Sequence, residues 1–167
     1  MSTTTHIPLR ELLIEELKDI FNAENQLLVA LPKMAKAAQS DQLRMGFEQH
    51  LEETQGHIER LEQIFELVGA AARGKTCDAI LGILEEGKSI MEDYKDAIAL
   101  DAGLIAAGQA AEHYEMARYG TLRNWAQQLG LDEAAKLLEA TLKEEKAADA
   151  ALTQLAEAGG DNAKAAA

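Results

Sequence analysis

The sequence predicts an all-α protein built as a four-helix bundle with an additional helix in a long crossover. The 167 residues include only two prolines, and Ala, Leu, Glu, Lys and Gln are abundant, which favours helix along nearly the whole chain. Apolar residues recur at spacings of three, four and seven, as they do on one face of an amphipathic helix. A segment of about 23 residues between two predicted helix pairs is long enough to form a helix of its own.

The first two predicted helices form an antiparallel hairpin. Pro8 suits the first turn of the first helix, and Pro32 is expected to kink that helix or to end its first part, because proline removes a backbone hydrogen bond. Ser40 is the expected N-cap of the second helix, which ends before Gly69. The two apolar stripes are Leu9, Leu13, Leu17, Ile20, Phe21, Leu28 and Leu31, and Leu43, Phe47, Leu51, Ile58, Leu61, Phe65 and Val68.

The second half of the chain is predicted to form another hairpin after the crossover. The expected bounds are a loop at 70–75, a third helix capped by Thr76 that runs to about Leu100, a fourth helix from about Asp101 to Leu129, and a fifth helix from Asp132 after a break at Gly130. The crossover spans roughly 34 Å as a helix, so it returns the chain to the opposite end of the bundle. This is the topology of ferritin-like bundles.

Length, charge and cysteine content define the class of protein. We expect one acidic domain at residues 1–158 and a flexible tail at 159–167, because the tail has no large side chain to bury. The net charge of −13 repels phosphates, so neither nucleic acid nor a membrane surface is an expected partner. The lone Cys77 cannot form an internal disulfide, and we find neither a secretory signal nor a membrane span. These features predict a soluble cytoplasmic protein.

Several acidic residues fall on the apolar stripes, where a soluble bundle normally places leucine. Glu24 lies between Ile20 and Leu28 on the first stripe, and Glu53 lies on the shoulder of the second. Further acids face inward on the last two helices, namely Glu112, Glu115, Glu145 and Asp149. Burial of ionised carboxylates without partners is costly, so their convergence implies a metal ion, shared protons or a water-filled polar core. We favour the metal ion.

Distances from the two hairpin turns support this convergence. The midpoint between Glu24 and Glu53 falls beside the turn near Ser40, and the midpoint between Glu112 and Glu145 falls beside the turn at Gly130. Residues that are equally far from a hairpin turn lie at equal depth, roughly 22 Å from the first turn and roughly 25 Å from the second. The four glutamates are therefore expected to meet near the middle of the bundle.

Three further donors lie within one helical turn of these glutamates. His57 and Asp149 each follow a paired glutamate by four residues, and Glu115 follows Glu112 by three. This number of inward donors satisfies two divalent transition-metal ions and exceeds the needs of one. The carboxylate-rich set suits iron or manganese better than copper. The candidate metal ligands are Glu24, Glu53, His57, Glu112, Glu115, Glu145 and Asp149.

Two neighbouring side chains have two interpretations each. His50 lies on the same helix face as Glu53, and it is either a ligand or a hydrogen-bond partner that supports a carboxylate. Tyr119 faces inward, and it either packs in the core or exchanges electrons with an oxidised metal. The remaining acids, Glu52 and Glu144 among them, are interpreted as solvated helix faces.

Five short segments carry a family resemblance over about residues 8 to 156. They are Leu31-Pro32-Lys33-Met34-Ala35, His50-Leu51-Glu52-Glu53-Thr54, Ala111-Glu112-His113-Tyr114-Glu115, Tyr119-Gly120-Thr121-Leu122 and Thr141-Leu142-Lys143-Glu144-Glu145-Lys146. Together they resemble the YciF-like family of bacterial stress-associated proteins. The resemblance implies a rubrerythrin-related, ferritin-like bundle, a dimetal centre and a homodimer.

By this resemblance, the four helix carboxylates of the dimetal centre are Glu24, Glu53, Glu112 and Glu145. The segment from Glu112 to Glu115 is similar to the Glu-x-x-Glu motif of a rubrerythrin helix. The usual Glu-x-x-His motif is absent from the two partner helices, because Gly56 and Ala148 stand at its third positions. His57 and Asp149, one position later, are the expected substitutes.

Two functional hypotheses follow. In the first, iron at a dimetal centre reacts with peroxide or oxygen in stress defence, by ferroxidase or peroxide-reducing chemistry, with electrons from an external reductant because no rubredoxin Cys-x-x-Cys module is present. In the second, the bundle is a non-enzymatic dimer that binds metal or acts as an interaction partner. For the homodimer, the predicted contact face is the crossover stripe of Ile80, Ile83, Leu84, Met91 and Ile98, unless that stripe packs on its own bundle.

Overall fold

The predicted all-α architecture is confirmed by the computed structural model, which describes residues 8–157 and 161–167. Within these ranges the chain contains no strand, and no helix there is long and apolar enough to cross a membrane. The helices are α1 Leu9–Ala37, α2 Asp41–Leu67, α3 Asp78–Asp93, α4 Leu100–Gln128, α5 Asp132–Glu157 and α6 Asp161–Ala166.

Two hairpins of long helices form the bundle, as predicted. Residues 38–40 connect α1 to α2, and Ser40 is the N-cap of α2, where its side chain accepts a hydrogen bond from the backbone N–H of Leu43. Pro32 lies inside α1 without ending it, since the helix continues to Ala37. The second hairpin turns at Gly130, whose φ of 69° lies in the left-handed region that glycine adopts without strain. Each hairpin packs along its length and against the other.

Asp101, at the start of α4, holds the connection between α1 and α2. Its Oδ1 accepts a hydrogen bond of 2.8 Å from the backbone N–H of Gln39, and its Oδ2 accepts one of 2.7 Å from Ser40. The Asp101 side chain is buried, and Gln39 also donates to the carbonyl of Ala97. One carboxylate therefore links the turn of the first hairpin to the second hairpin.

The crossover differs from the prediction at both ends. The N-cap of α3 is Cys77 and not Thr76, and the helix ends at Asp93 and not near Leu100. Asp96 adopts a φ of 62°, a left-handed conformation that interrupts a right-handed helix and that aspartate tolerates better than most residues. The predicted continuation of the third helix to Leu100 is therefore wrong.

The apolar stripe of the crossover packs mainly on its own bundle. Ile80 is fully buried, and Ile83, Leu84 and Met91 are half-buried against the core, because α3 contacts both α1 and α4. Ile98 alone of this stripe is exposed. The stripe thus packs on its own bundle, as the alternative expectation states, and it leaves little apolar surface for a dimer contact. The homodimer stays a prediction that rests on the family resemblance.

The chain ends in the short helix α6, which contacts α5 and α4. Residues 158–160, which include the predicted domain boundary, lie outside the described residues. The flexibility of the 159–167 tail stays a prediction.

Close packing at Gly108 brings α4 against α2 and α5. A Cβ atom at this position would lie 3.0 Å from Leu152 Cδ1 and 3.4 Å from Phe47 Cε1, so a larger residue would require these side chains to shift by a few tenths of an ångström. Glu112 follows Gly108 by one helical turn on the same face. The absence of a side chain at Gly108 therefore helps to bring Glu112 close to the facing helices.

We predict that Asp101→Ala lowers the free energy of unfolding by about 1–3 kcal/mol, because two backbone N–H groups lose a charged acceptor. Urea denaturation of the variant and the parent protein measures the change. The matched control is Asp93→Ala, which removes an exposed aspartate at the end of α3. Equal losses in the two variants would contradict the linking role of Asp101.

Candidate metal centre

The candidate site lies near the middle of the four long helices, at the common depth that the sequence predicts. Six buried side chains meet there, and α3 contributes none of them. They are Glu24 from α1, His50 and His57 from α2, Glu112 and Glu115 from α4, and Glu145 from α5.

The first of two groups of potential ligands consists of Glu24, His57 and Glu145. One donor atom from each of these side chains lies within 4.8 Å of the others. His57 Nδ1 is 3.3 Å from Glu24 Oε1 and 3.1 Å from Glu145 Oε1. All three residues are fully buried. This group combines two carboxylates with one imidazole.

The second group consists of His50, Glu112, Glu115 and Glu145, whose donor atoms satisfy the same 4.8 Å limit. His50 Nε2 is 3.1 Å from Glu112 Oε1 and 3.6 Å from Glu145 Oε2. Glu145 therefore belongs to both groups, with Oε1 towards His57 and Oε2 towards His50. A carboxylate placed in this way is able to bridge two ions.

Each histidine has a second carboxylate on its outer side. His50 Nδ1 is 3.3 Å from Glu53 Oε2, and His57 Nε2 is 2.9 Å from Glu144 Oε2. Arg60 in turn donates two hydrogen bonds to Glu144, at 2.6 and 2.7 Å. Outer carboxylates of this kind orient metal-binding imidazoles and determine which ring nitrogen carries the proton. In both histidines the other ring nitrogen faces the buried glutamates.

Tyr119 adds a buried hydroxyl next to the first group. Its O–H donates a hydrogen bond to Glu24 Oε1, and its ring packs edge-on against His57 with the centroids 6.3 Å apart. The residue is completely buried. Tyr119 thus belongs to the core, and it also restrains one carboxylate of the site.

Unpartnered polar atoms show that these residues fit a metal centre. Buried polar atoms in folded proteins nearly always have hydrogen-bond partners. In this cluster eight buried atoms have none within the described residues, although some lie at short distances from one another. They are Glu24 Oε2, His50 Nε2, His57 Nδ1, Glu112 Oε2, both carboxylate oxygens of Glu115 and both of Glu145. Carboxylate and imidazole donors of this kind are able to hold a divalent metal ion.

Burial and mutual repulsion raise the pKa values of three central carboxylates, which favours their protonated forms in the metal-free chain. Burial, together with the charge of Glu145, raises the pKa of Glu112 to about 9, although His50 opposes this shift. Burial and the neighbouring carboxylates raise the pKa of Glu115 well above its ordinary value. Burial also raises the pKa of Glu145, against the effect of His57. Metal binding at this site therefore has to displace protons.

The pKa values of the two histidines are raised, which favours their positive forms, and those of their outer carboxylate partners are lowered, which favours the negative forms. Burial by itself lowers the pKa of His57, but the facing carboxylates of Glu145 and Glu24 outweigh it and raise this pKa to about 11. Burial also lowers the pKa of His50, but Glu53, Glu112 and Glu24 together outweigh it, so that this pKa is raised. Contact with His50 lowers the pKa of Glu53, and contact with Arg60 lowers that of Glu144. The pKa values of the outer carboxylates Glu53 and Glu144 are thus lowered, whereas those of the inner Glu112 and Glu115 are raised.

The structure brings together most of the predicted site residues. It places Glu24, His57, Glu112, Glu115 and Glu145 in the two groups. The other two predicted ligands lie outside them. Glu53 is half-buried against His50 and Gln49, and Asp149 is half-buried next to His113 and Gln109.

The contacts of His50 and Glu144 add to or differ from what the sequence predicts for them. His50 lies in the second group, so of its two predicted roles the geometry matches that of a ligand. Glu144 is not a solvated helix face, because it contacts both His57 and Arg60. The spacing of seven between His50 and His57 is the signal in the sequence that places both rings on one face of α2.

Fold and site together define an all-α bundle with a buried carboxylate–histidine cluster that is able to hold metal. A family model described as a domain of unknown function, DUF892, matches residues 8–166. The chain also shares 45% identity over 149 residues with the protein YciF of Escherichia coli (strain K12), covering 89% of this chain and 90% of that one. The chain therefore belongs to the DUF892 family, as the resemblance to YciF-like proteins predicts.

Solved structures support the same relationship. The crystal structure of the E. coli stress protein YciF matches with a TM-score of 0.89 and 42% identity, covering 95% of this chain and 99% of that one. YcfI of Rhodopseudomonas palustris, for which a structural role has been suggested, matches with a TM-score of 0.86 and 42% identity, covering 92% and 98%.

We predict that the metal-free chain loses stability as the pH rises, in part through Glu112. With a folded pKa of about 9 and an ordinary value of 4.5, this group holds a proton in the folded state that the unfolded state releases. Its contribution is therefore fully present below 4.5 and is lost as the pH rises through about 9. Glu112→Gln, which cannot ionise, is expected to show a weaker decline.

Urea unfolding of the chelator-treated protein at about pH 5.5 and about pH 8.5 measures this decline. Glu86→Gln, at an exposed position on α3, is the matched control and should follow the parent protein. A decline of equal size in all three proteins would contradict the assignment to Glu112.

Proposed function

We propose that this chain is a dimetal carboxylate protein that holds two divalent transition-metal ions, most suitably iron and otherwise manganese. The observation that carries this proposal is the position of Glu145, whose two oxygens face different groups of buried, unpartnered donors. One ion would not use both groups, whereas two ions would use every unpartnered donor. The proposal thus accounts for the burial of four glutamates in an otherwise apolar core.

The proposed assignment gives each residue one role. Glu24 and His57 would hold the first ion, His50 with Glu112 and Glu115 would hold the second, and Glu145 would offer one oxygen to each. This differs from the assignment implied by the family resemblance, in which Glu53 is a ligand. The contacts of Glu53 and Glu144 support roles as the outer partners that orient His50 and His57.

Ferroxidase or peroxide-reducing chemistry is the proposed activity. Two ferrous ions would supply the two electrons that, with two protons, convert one peroxide into two molecules of water. The ionised glutamates favour the more highly charged oxidised ions by their negative charge. Tyr119 holds Glu24 in place within the core of the bundle. An external reductant would complete a catalytic cycle.

A role in stress defence is supported by the similarity to YciF, which is described as a stress protein. We also propose a cytoplasmic location and a homodimer, in keeping with the family resemblance and the acidic composition. The second candidate function is non-enzymatic, as a metal-binding or interaction bundle, and the suggested structural role of YcfI supports it.

Anaerobic loading with ferrous iron followed by one addition of hydrogen peroxide separates the two functions. The enzymatic function is supported if each peroxide oxidises two bound ferrous ions and if this oxidation is much faster than that of ferrous iron in buffer. Bound iron that reacts no faster than iron in buffer supports the non-enzymatic bundle.

We predict about two ions per wild-type chain and at most about one in Glu145→Gln, because the variant removes the charged donor that both groups share. Metal analysis after loading with iron or manganese and gel filtration measures the stoichiometry. Circular dichroism checks that both proteins remain helical. Glu86→Gln is the control and should retain the wild-type amount. Equal metal content in Glu145→Gln and Glu86→Gln would refute the proposed centre.

We predict that Glu53→Gln and Glu144→Gln each weaken metal binding about 10–100-fold without abolishing it, because each loses a carboxylate that orients a histidine. Competition with a chelating dye measures the affinity for cobalt. The matched control is Glu52→Gln, at an exposed position next to Glu53. A loss of one whole ion in Glu53→Gln would instead identify Glu53 as a ligand.

A further inference from the structure

A cavity of about 100 Å³ lies between α2 and α5, directly beside the second group of ligands. We call it the α2–α5 cavity. Its outer residues include Gln49, Ala147 and Ala151, which are exposed, and its inner residues include His50 and Glu112, which are buried. The cavity therefore leads from the surface of the protein to the candidate metal centre.

Two polar atoms without partners belong to the inner end of this cavity. His50 is 5% exposed and Glu112 is 4% exposed, and neither His50 Nε2 nor Glu112 Oε2 has a hydrogen-bond partner. The cavity thus differs from a chance gap between helices, because its inner end presents the donors of the second group. A molecule in the cavity would meet whatever ion those donors hold.

Small residues keep the cavity open. Its walls include Gly46 on α2 and Ala147, Ala148 and Ala151 on α5. Ala148 follows Glu145 by three residues, the position that carries histidine in the Glu-x-x-His motif of dimetal bundles. In this chain α2 supplies the imidazole of His50 instead, and the space at position 148 stays free.

A second, smaller cavity touches His50 and Glu112 from the side of α1, α3 and α4. It measures about 30 Å³, and every residue that lines it is buried or half-buried. Its volume is enough for one or two water molecules. Of these two cavities, only the α2–α5 cavity has exposed residues at one end.

We propose that the α2–α5 cavity is the substrate site of the centre, that it admits small neutral peroxides, and that Ala148 limits their size. The proposal rests on the proposed dimetal function. A volume of about 100 Å³ exceeds that of one water molecule several-fold, which is enough for hydrogen peroxide or a small organic peroxide. The carboxylate of Glu53 at the cavity and the net charge of −13 disfavour anionic substrates.

Azide binding to the cobalt-loaded protein tests the entrance without turnover. Azide is a linear probe similar in size to a peroxide, and its binding to cobalt changes the visible absorption spectrum. The comparison uses Ala148→Leu, which fills the cavity, and Ala150→Leu, which makes the same change at an exposed position of the same helix. Repulsion of the azide charge is nearly the same in every protein and cancels in the comparison.

We expect Ala148→Leu to bind azide at least about tenfold more weakly than the parent protein, with unchanged cobalt stoichiometry, and Ala150→Leu to resemble the parent. Equal azide affinity in the two variants overturns the proposed entrance. Failure of the parent protein to bind cobalt overturns the dimetal function itself, so the two failures are distinguishable.

If Ala148→Leu fails to fold or to bind cobalt, Gly46→Ala provides the same test on α2. A Cβ at Gly46 would lie 3.9 Å from Leu155 Cδ1, an ordinary contact, so the added methyl narrows the cavity without strain. Gly82→Ala in α3, where a Cβ meets nothing within 4 Å, is the control for the helix-stabilising effect of alanine. A severalfold loss of azide affinity in Gly46→Ala alone supports the entrance, and no difference between the two overturns it.

Comparison of two peroxides tests the limit on size. With ferrous iron bound, Gly46→Ala is expected to slow oxidation by tert-butyl hydroperoxide more than oxidation by hydrogen peroxide. Equal slowing of both reactions overturns the size limit.

Discussion

Charge compensation of the four buried glutamates is the constraint on which the rest of this structure depends. Glu24, Glu112, Glu115 and Glu145 lie at the centre of an aliphatic core. The effective cost of burying one uncompensated ion is several kcal/mol, whereas a whole domain is stable by only about 5–15 kcal/mol. Four such charges would therefore unfold the bundle. Without metal, the raised pKa values of Glu112 and Glu115 favour their neutral forms, and the raised pKa values of His50 and His57 favour positive rings beside the other glutamates. Metal ions would supply the compensation without neutralising the ligands.

The two histidines connect this interior to the surface. Each ring has a buried glutamate on one side and a half-exposed glutamate on the other, and Arg60 neutralises one of the outer pair. Glu53 and Glu144 thus lie between the buried cluster and the surface. The outer carboxylates are able to remain ionised because water reaches them, and they restrain the rings before any ion binds. Metal loading would then require loss of protons more than rearrangement of side chains.

The sequence predicts three of the buried glutamates well because two independent patterns agree on them. Glu24, Glu112 and Glu145 fall on inward helix faces, and distances from the hairpin turns place them at one depth. The same distances also select Glu53, which lies outside the two groups, and Glu115 is predicted from its helix face alone. The same patterns do not separate Glu53 from His50, because both lie near the edge of one stripe and a small rotation of α2 decides which faces inward. Contacts between distant residues leave no periodic signal, so the role of Asp101 at the first hairpin is apparent only in the structure. The end of α3 was mispredicted because the left-handed conformation of Asp96 depends on a single backbone angle.

The two groups of ligands differ in charge, and this difference relates the site to its cavity. Both histidines come from α2, one to each group, whereas α4 contributes Glu112 and Glu115 to the second group alone. When ionised, the second group has three carboxylates including Glu145, and the first has two. An ion in the second group would therefore be stabilised more strongly on oxidation than its neighbour. The α2–α5 cavity reaches the second group, through His50 and Glu112. A substrate that enters there would meet first the ion whose surroundings most favour the loss of an electron.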